Sequence, residues 1–238
     1  MTPPLLSTAY LPSVAYMAVL ARHSSVAIEQ KETFPKQTFR NRAAIATGNG
    51  VLMLNVPVVR LYGNHTRTEQ MTLSYIEPWH IRHWRAIVAA YSAAPYFLYY
   101  RDELEQILMQ RHERLLDLND ALLHYLLKKL KVDCQITYTD TFTPPTTPPS
   151  PTDLRTLLTD KHTLPTNSRN SQTTSQTPPD THTPQLFNFQ FSTFTFQFPP
   201  YPQVFDTRLG FLPNLSAIDL LFNLGPEAKQ ILIQTQLY

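Results

Sequence analysis

Cysteine, glycine and charge are all scarce in this chain. Of its 238 residues, one is cysteine, five are glycine and 16% are charged, against a usual charged share of about 25%. The lone Cys134 excludes an internal disulfide and a multi-cysteine zinc site, and suits a reducing cytoplasm. Gly48, Gly50, Gly63, Gly210 and Gly225 do not stand at G-x-G-x-x-G or G-x-x-x-x-G-K-[ST] spacing, where bare backbone amides can approach a phosphate. A dinucleotide fold or a P-loop is therefore not expected. No apolar run reaches the roughly 18 residues of a membrane span. Met1-Thr2-Pro3-Pro4 lacks the basic region of a signal peptide, and Arg22-His23 follows the first apolar stretch, so a cytoplasmic location is expected, with peripheral membrane contact left open. Twenty Lys+Arg stand against eighteen Asp+Glu, for a net charge of +2, which leaves no broad basic face for nucleic acid. There is no G-x-S-x-G elbow to nominate a nucleophilic serine.

Proline, in contrast, is abundant. Residues 141–185 hold fourteen Thr, nine Pro and four Ser, with no aromatic after Phe142. Such a stretch has too little apolar surface to offset the entropy of ordering it. It reads as a disordered insertion within one domain made of residues 1–140 and 186–238. The apolar tail after it is too short to fold alone and needs the first part as packing partner.

The remainder predicts a mixed α/β domain, with a central sheet and flanking helices. Residues 5–10 and 25–29 read as strands, with a helix from Pro12 to Ala21 between them. Asn49-Gly50 between two runs of strand formers predicts a two-residue type I′ hairpin, with Ile45 opposite Leu54 and Thr47 opposite Leu52. A further strand is expected at 70–76. His80, His83, Trp84, Ile87, Val88 and Tyr91 recur at helical spacing, and Pro95 ends that helix. Helices at 103–116 and 120–131 follow, with Asn119 as cap of the second, then a strand at 134–138. Phe187, Phe189 and Phe191, then Phe194, Phe196 and Phe198, alternate with polar residues, and the change of phase suggests a bulge. Ser216 to Asp219 resembles a capping box opening a short buried helix that Gly225-Pro226 closes.

Two clusters carry the candidate chemistry. Arg40-Asn41-Arg42, with Asn55 across the hairpin, could grip a carboxylate or phosphate bidentately, or could lie on a solvated face. By period two, Arg40 and Arg42 share one face. Trp79-His80-Ile81-Arg82-His83-Trp84 holds both tryptophans and two histidines three apart. His80 and His83 could move a proton or contact substrate, or could be core histidines packed on indole. No third ligand stands at metal spacing, so no metal is assigned. Cys134 reads as core. Asp219 is expected to satisfy its helix's N-terminus.

Ser7-Thr8-Ala9-Tyr10-Leu11-Pro12 with Tyr16, Lys36-Gln37-Thr38-Phe39-Arg40-Asn41-Arg42, His83-Trp84 with Tyr91, Pro95-Tyr96-Phe97, Leu116-Asp117-Leu118-Asn119 and Gln203-Val204-Phe205 occur in this order. So does the run from Phe211-Leu212-Pro213-Asn214 to Asp219-Leu220-Leu221-Phe222-Asn223. In this series the chain resembles the WbqC-like proteins, most of all their Bacteroidetes-type branch. The family takes its name from an O-antigen gene cluster, so the resemblance implies a role in building surface polysaccharide. The expectation is a cytoplasmic transferase-like enzyme acting on a sugar nucleotide or an acyl or aminoacyl intermediate. Arg40, Asn41 and Arg42 would hold an anionic donor or carrier, His80 or His83 would serve as general base, and Tyr10 and Trp84 would wall the pocket. The substrate is a small or carrier-linked anion, no nucleic acid takes part, and no cofactor is identified. The rival reading is a non-catalytic protein that recognises an anionic ligand or partner through the same face.

Overall fold

β1 (Leu5–Ser7) and β2 (Ser25–Glu29) run parallel, joined by α1 (Val14–Leu20). The structure, a computed structural model, describes residues 3–145, 150, 152–155, 187–190 and 195–237. α1 starts where Ser13, in extended conformation, accepts a hydrogen bond from the Tyr16 amide. All seven of its residues are buried, as an all-apolar helix requires, and it lies against α6 (Ala217–Leu224) and α7 (Ala228–Gln234). β7 (Gln135–Tyr138) adds to the other side of β2, also parallel, giving the order β1-β2-β7.

The expected mixed α/β class is what forms, but the sheet is divided. β3 (Arg42–Thr47) and β4 (Gly50–Asn55) make a separate antiparallel pair, β5 (Val58–Val59) pairs with β6 (Thr72–Leu73), and β8 (Phe187–Gln190), β9 (Thr195–Phe198) and β10 (Gln236–Leu237) form a third antiparallel group. The hairpin lies two residues from its expected register: Ile45 faces Leu52 and Thr47 faces Gly50. The turn residues are Gly48 and Asn49, and the positive φ, 108°, falls at Gly50. Thr47 sets this turn, its hydroxyl bonding the Gly50 carbonyl at 2.8 Å and accepting from the Asn49 amide at 3.3 Å. An even shift keeps every side chain on its expected face. Ala43 and Ile45 therefore enter the main core, while Ala44 and Ala46 pack on Leu215 in a smaller cluster.

The helices are α2 (Trp79–Tyr91), α3 (Phe97–Met109) and α4 (Leu115–Lys129). The break expected at residues 117–119 lies instead at 110–114. There the backbone pairs with the β6 region: Leu73 donates to the Glu113 carbonyl and Leu115 to that of Met71. Asn119 is consequently no cap. It is a buried residue inside α4, and its amide reaches Thr8 Oγ1 (3.1 Å) and the Arg40 carbonyl (2.8 Å). α5 (Asp206–Leu209) precedes α6, which ends as expected at Gly225. No capping box opens α6. Ser216 makes no side-chain cap bond, and Asp219 is wholly buried, accepting from Tyr201 Oη (2.7 Å) and Gln203 Nε2 (2.9 Å). The expected phase change between the phenylalanine runs, at residues 191–194, lies outside the described residues; the strands on either side pair with each other.

Residues 152–155 differ from the reading of an unstructured tract. Leu5 donates to the Thr152 carbonyl and Leu154 to that of Leu5, both at 2.8 Å, so these residues cover the free edge of β1. Leu154 and Arg155 are buried. Most of the remaining Thr/Pro-rich tract lies outside the described residues.

Candidate anion-binding site

Chain direction splits the two arginines predicted to act together. β3 begins only at Arg42, so Arg40 stands in the preceding turn and points inward, while Asn41 and Arg42 face the cleft between the hairpin and the 34–37 segment. The cleft is open, about 250 Å³ in volume, and Lys36, Arg42 and Arg60 line it with Gln37, Asn41 and Asn55. None of its lining residues is acidic. Arg42 is oriented by Asn55, whose Oδ1 accepts from Nε at 3.2 Å. The Arg60 guanidinium lies 5.5 Å over the Phe34 ring and donates to Asn64 Oδ1 at 3.3 Å. Asn41 donates to the Val56 carbonyl at 2.9 Å and more weakly to Asn55, and its Oδ1 is buried with no hydrogen-bond partner. No ion pair engages Lys36, Arg42 or Arg60 among the described residues. Chemically this is a set of cations facing solvent, the two guanidinium groups held by their neighbours, suited to a phosphate or carboxylate.

Behind it, at the C-terminal ends of β1 and β2, lies a buried polar cluster. Arg40, 3% exposed, directs Nε and Nη2 at Glu32 Oε1 (2.8 and 2.7 Å) and Nη2 also at Ser7 Oγ (2.5 Å). Burial pushes its guanidinium downward, opposed by Glu32, and the group stays ionised. Glu29 accepts from the Lys31 amide (2.8 Å), the Thr139 hydroxyl (2.7 Å) and the Thr143 amide (2.9 Å), and Arg155 Nη1 lies 3.8 Å from it. Arg155 is itself held by Asp153 through two bonds of 2.8 and 2.6 Å. Arg40 is thus an internal partner of Glu32 and Ser7, and it does not line the cleft.

Of Tyr10, His80, His83 and Trp84, the structure brings Tyr10 and His83 together. Tyr10 Oη lies 2.9 Å from His83 Nδ1, and the His83 ring hydrogen-bonds the Asn55 backbone as well. Nδ1 is thus engaged within the protein by Tyr10. Burial first, and Arg82 next, push the imidazole down to about 4, and it is neutral near pH 7. Burial also raises the Tyr10 hydroxyl well above its usual range. His83 and Arg40 share no hydrogen-bond partner, and neither lines the cleft that Arg42 faces. Trp79, not Trp84, packs on Tyr10 and His83. Trp84 turns away onto Phe97 and beneath the Arg101 guanidinium. His80 is buried between Tyr75 and Trp79. Among the described residues no group of three or more His, Cys, Asp or Glu is placed to hold a metal.

Arg60, Glu32 and Arg155 were not legible as site residues. Arg60 follows a two-residue strand with no periodicity to place it, and Arg155 lies in a tract whose composition argued against order. Asn119 did carry a signal, as the one amide among the apolar positions Leu115, Leu116, Leu118, Leu122 and Leu123 of a buried helix face.

The WbqC-like protein family matches residues 8–231 of this chain. The uncharacterized protein Rv1507c of Mycobacterium tuberculosis is 30% identical over 128 residues, covering 53% of this chain and 55% of that protein. The chain spans about half the length of this curated relative. No solved structure matches it. Among the described residues, no helix is long and apolar enough to cross a membrane.

Proposed function

The chain belongs to the WbqC-like protein family, and on that premise we propose that it binds an anionic donor or carrier in the Arg42 cleft, as a cytoplasmic transferase-like enzyme of surface-polysaccharide assembly. The observation that carries the reading is the set of three cations, Lys36, Arg42 and Arg60, in one open cleft without a carboxylate. Two guanidinium groups already oriented by Asn55 and by Phe34 with Asn64 lose little freedom on gripping a phosphate or carboxylate.

A second reading, a non-catalytic anion receptor, is favoured by one observation: His83 is buried with Nδ1 bonded to Tyr10 and does not line the cleft, so it offers the cleft no base. One experiment addresses both. Sugar nucleotides, pyrophosphate and acyl or aminoacyl phosphates are screened by thermal shift against wild type, Arg42→Gln and Arg60→Gln. A bound ligand at a hundredfold its Kd stabilises by about 2.7 kcal/mol. The expected result is a shift with at least one anion that falls at least tenfold in apparent affinity in each variant. Equal shifts in Arg42→Gln and wild type, or no shift with any anion, would overturn the cleft assignment. Incubating the hit with acceptor amines and sugars then separates the readings, since a receptor returns its ligand unchanged.

A further inference from the structure

The wall of the cleft that carries Arg60 continues into a turn whose tip is apolar. Leu61 and Tyr62 are 60% and 61% exposed, and Val59 before them is 44% exposed. This turn is firmly mounted. The Tyr62 amide donates to Thr66 Oγ1 (2.9 Å), that hydroxyl donates to the Gly63 carbonyl (2.9 Å), and the His65 amide bonds the Tyr62 carbonyl (3.1 Å). Thr66 and Thr68 are buried, and backbone bonds from Phe34 to Thr66 and from Thr68 to Glu32 tie the turn to the opposite wall. Gly63, at φ 55°, permits the reversal. The protein thus spends a well-ordered turn on holding two large apolar side chains in water.

Charge identifies what covers them. From Arg60 to Arg67 the sequence Arg-Leu-Tyr-Gly-Asn-His-Thr-Arg has no acid, and Lys36 and Arg42 stand across the cleft. The adjoining carboxylates are already engaged, Glu69 by Lys31 and Arg67 and Glu32 by the buried Arg40. An aliphatic residue and a tyrosine projecting from a cationic rim match the interface of an anionic bilayer, where the apolar groups enter the acyl boundary and the cations meet headgroup phosphates. A nucleic acid would use the cations and leave Leu61 exposed. We propose that the 60–67 turn docks the Arg42 cleft onto an anionic phospholipid surface, so that the anion taken by the cleft is presented on a lipid. This rests on the reading of the cleft as an anion site. Two apolar side chains and a few cations make a reversible attachment that weakens with salt.

The test is co-sedimentation of the full chain with phosphatidylcholine vesicles, with and without phosphatidylglycerol at roughly one lipid in three. The comparison is with the Leu61→Ser/Tyr62→Ser double variant and with Arg60→Gln. Both apolar sites are exposed, so the double variant should keep the wild-type melting temperature and any thermal shift with pyrophosphate or a sugar nucleotide. Expected are binding to the anionic vesicles alone, a loss of about tenfold or more in the double variant, and about fivefold in Arg60→Gln. Absence of binding to anionic vesicles, or binding undiminished in the double variant, overturns the docking surface while the soluble-anion shift still stands. The reverse, vesicle binding intact with no soluble anion bound, overturns the cleft reading on which the proposal rests.

Discussion

Arg40 is a single side chain that neutralises a buried acid. Buried against Glu32 and Ser7, it balances a carboxylate that is itself only 9% exposed. Truncation leaves that carboxylate without its partner, and breaking a buried pair from one side costs about 3–5 kcal/mol. Arg40→Ala should lower stability by that amount in urea denaturation, whereas replacing Arg40 with Met and Glu32 with Leu together should recover most of it. A loss below about 1 kcal/mol in the single variant would mean the pair is not closed in solution. Asp219 and His83 make a second case, because burial moves them in opposite senses. Desolvation lifts Asp219 from 3.8 to about 6 despite the bonds from Tyr201 and Gln203. The folded state therefore holds a proton the unfolded state has released, and stability falls as pH rises through that window. His83 is depressed from 6.5 to about 4, so the unfolded state binds the extra proton and stability rises with pH over the range from about 4 to 6.5. The two slopes oppose each other between pH 4 and 6. Asp219→Asn removes one of them, and denaturation curves across that range should show stability climbing more steeply than in wild type, by on the order of 2–3 kcal/mol.

Among the elements, the short segment at residues 152–155 has the clearest consequence. It caps the edge of β1 with two backbone hydrogen bonds and inserts Leu154 into the main core, where it is 3% exposed. Leu154→Ala should cost about 2–5 kcal/mol by the ordinary cavity effect, measurable as a lower urea midpoint with an unchanged slope. A change under about 0.5 kcal/mol would place Leu154 outside the core. The order of this segment is not encoded in its composition. Composition over 45 residues argued against order, but a four-residue exception is invisible to an average; only the unpaired edge of β1 gives it a reason to be there. The hairpin was legible in its faces, because parity survives a two-residue shift, and illegible in its register, which the Thr47 hydroxyl decides. The boundary between α3 and α4 follows the same logic. No Gly or Pro lies between residues 109 and 115, and the helix breaks because that backbone serves β6. Of the site, Arg42 and Asn55 were readable as strand-borne groups on one face. Arg40 was not, since the period-two rule was carried past the strand's first residue.

At the scale of the whole molecule, the start of the chain is completed by its far end. The Val14 amide bonds the Leu215 carbonyl, the Ala15 amide meets Asn214 Oδ1 across 199 positions of sequence, and Ala217 donates to Pro12. Ser216 also donates to Ala44, and Tyr96 to Phe222. α6 is therefore the element that α1, α3 and α4 all pack against. In the order of synthesis this means that the first helix leaves the ribosome long before the residues that satisfy its opening amides exist. The nascent chain must wait, with α1 wholly apolar and unburied, until residue 217 has emerged. Contacts so distant in sequence slow folding, and a waiting apolar helix is what chaperones bind. The protein's yield on overproduction should consequently depend on chaperone supply more than its equilibrium stability would suggest.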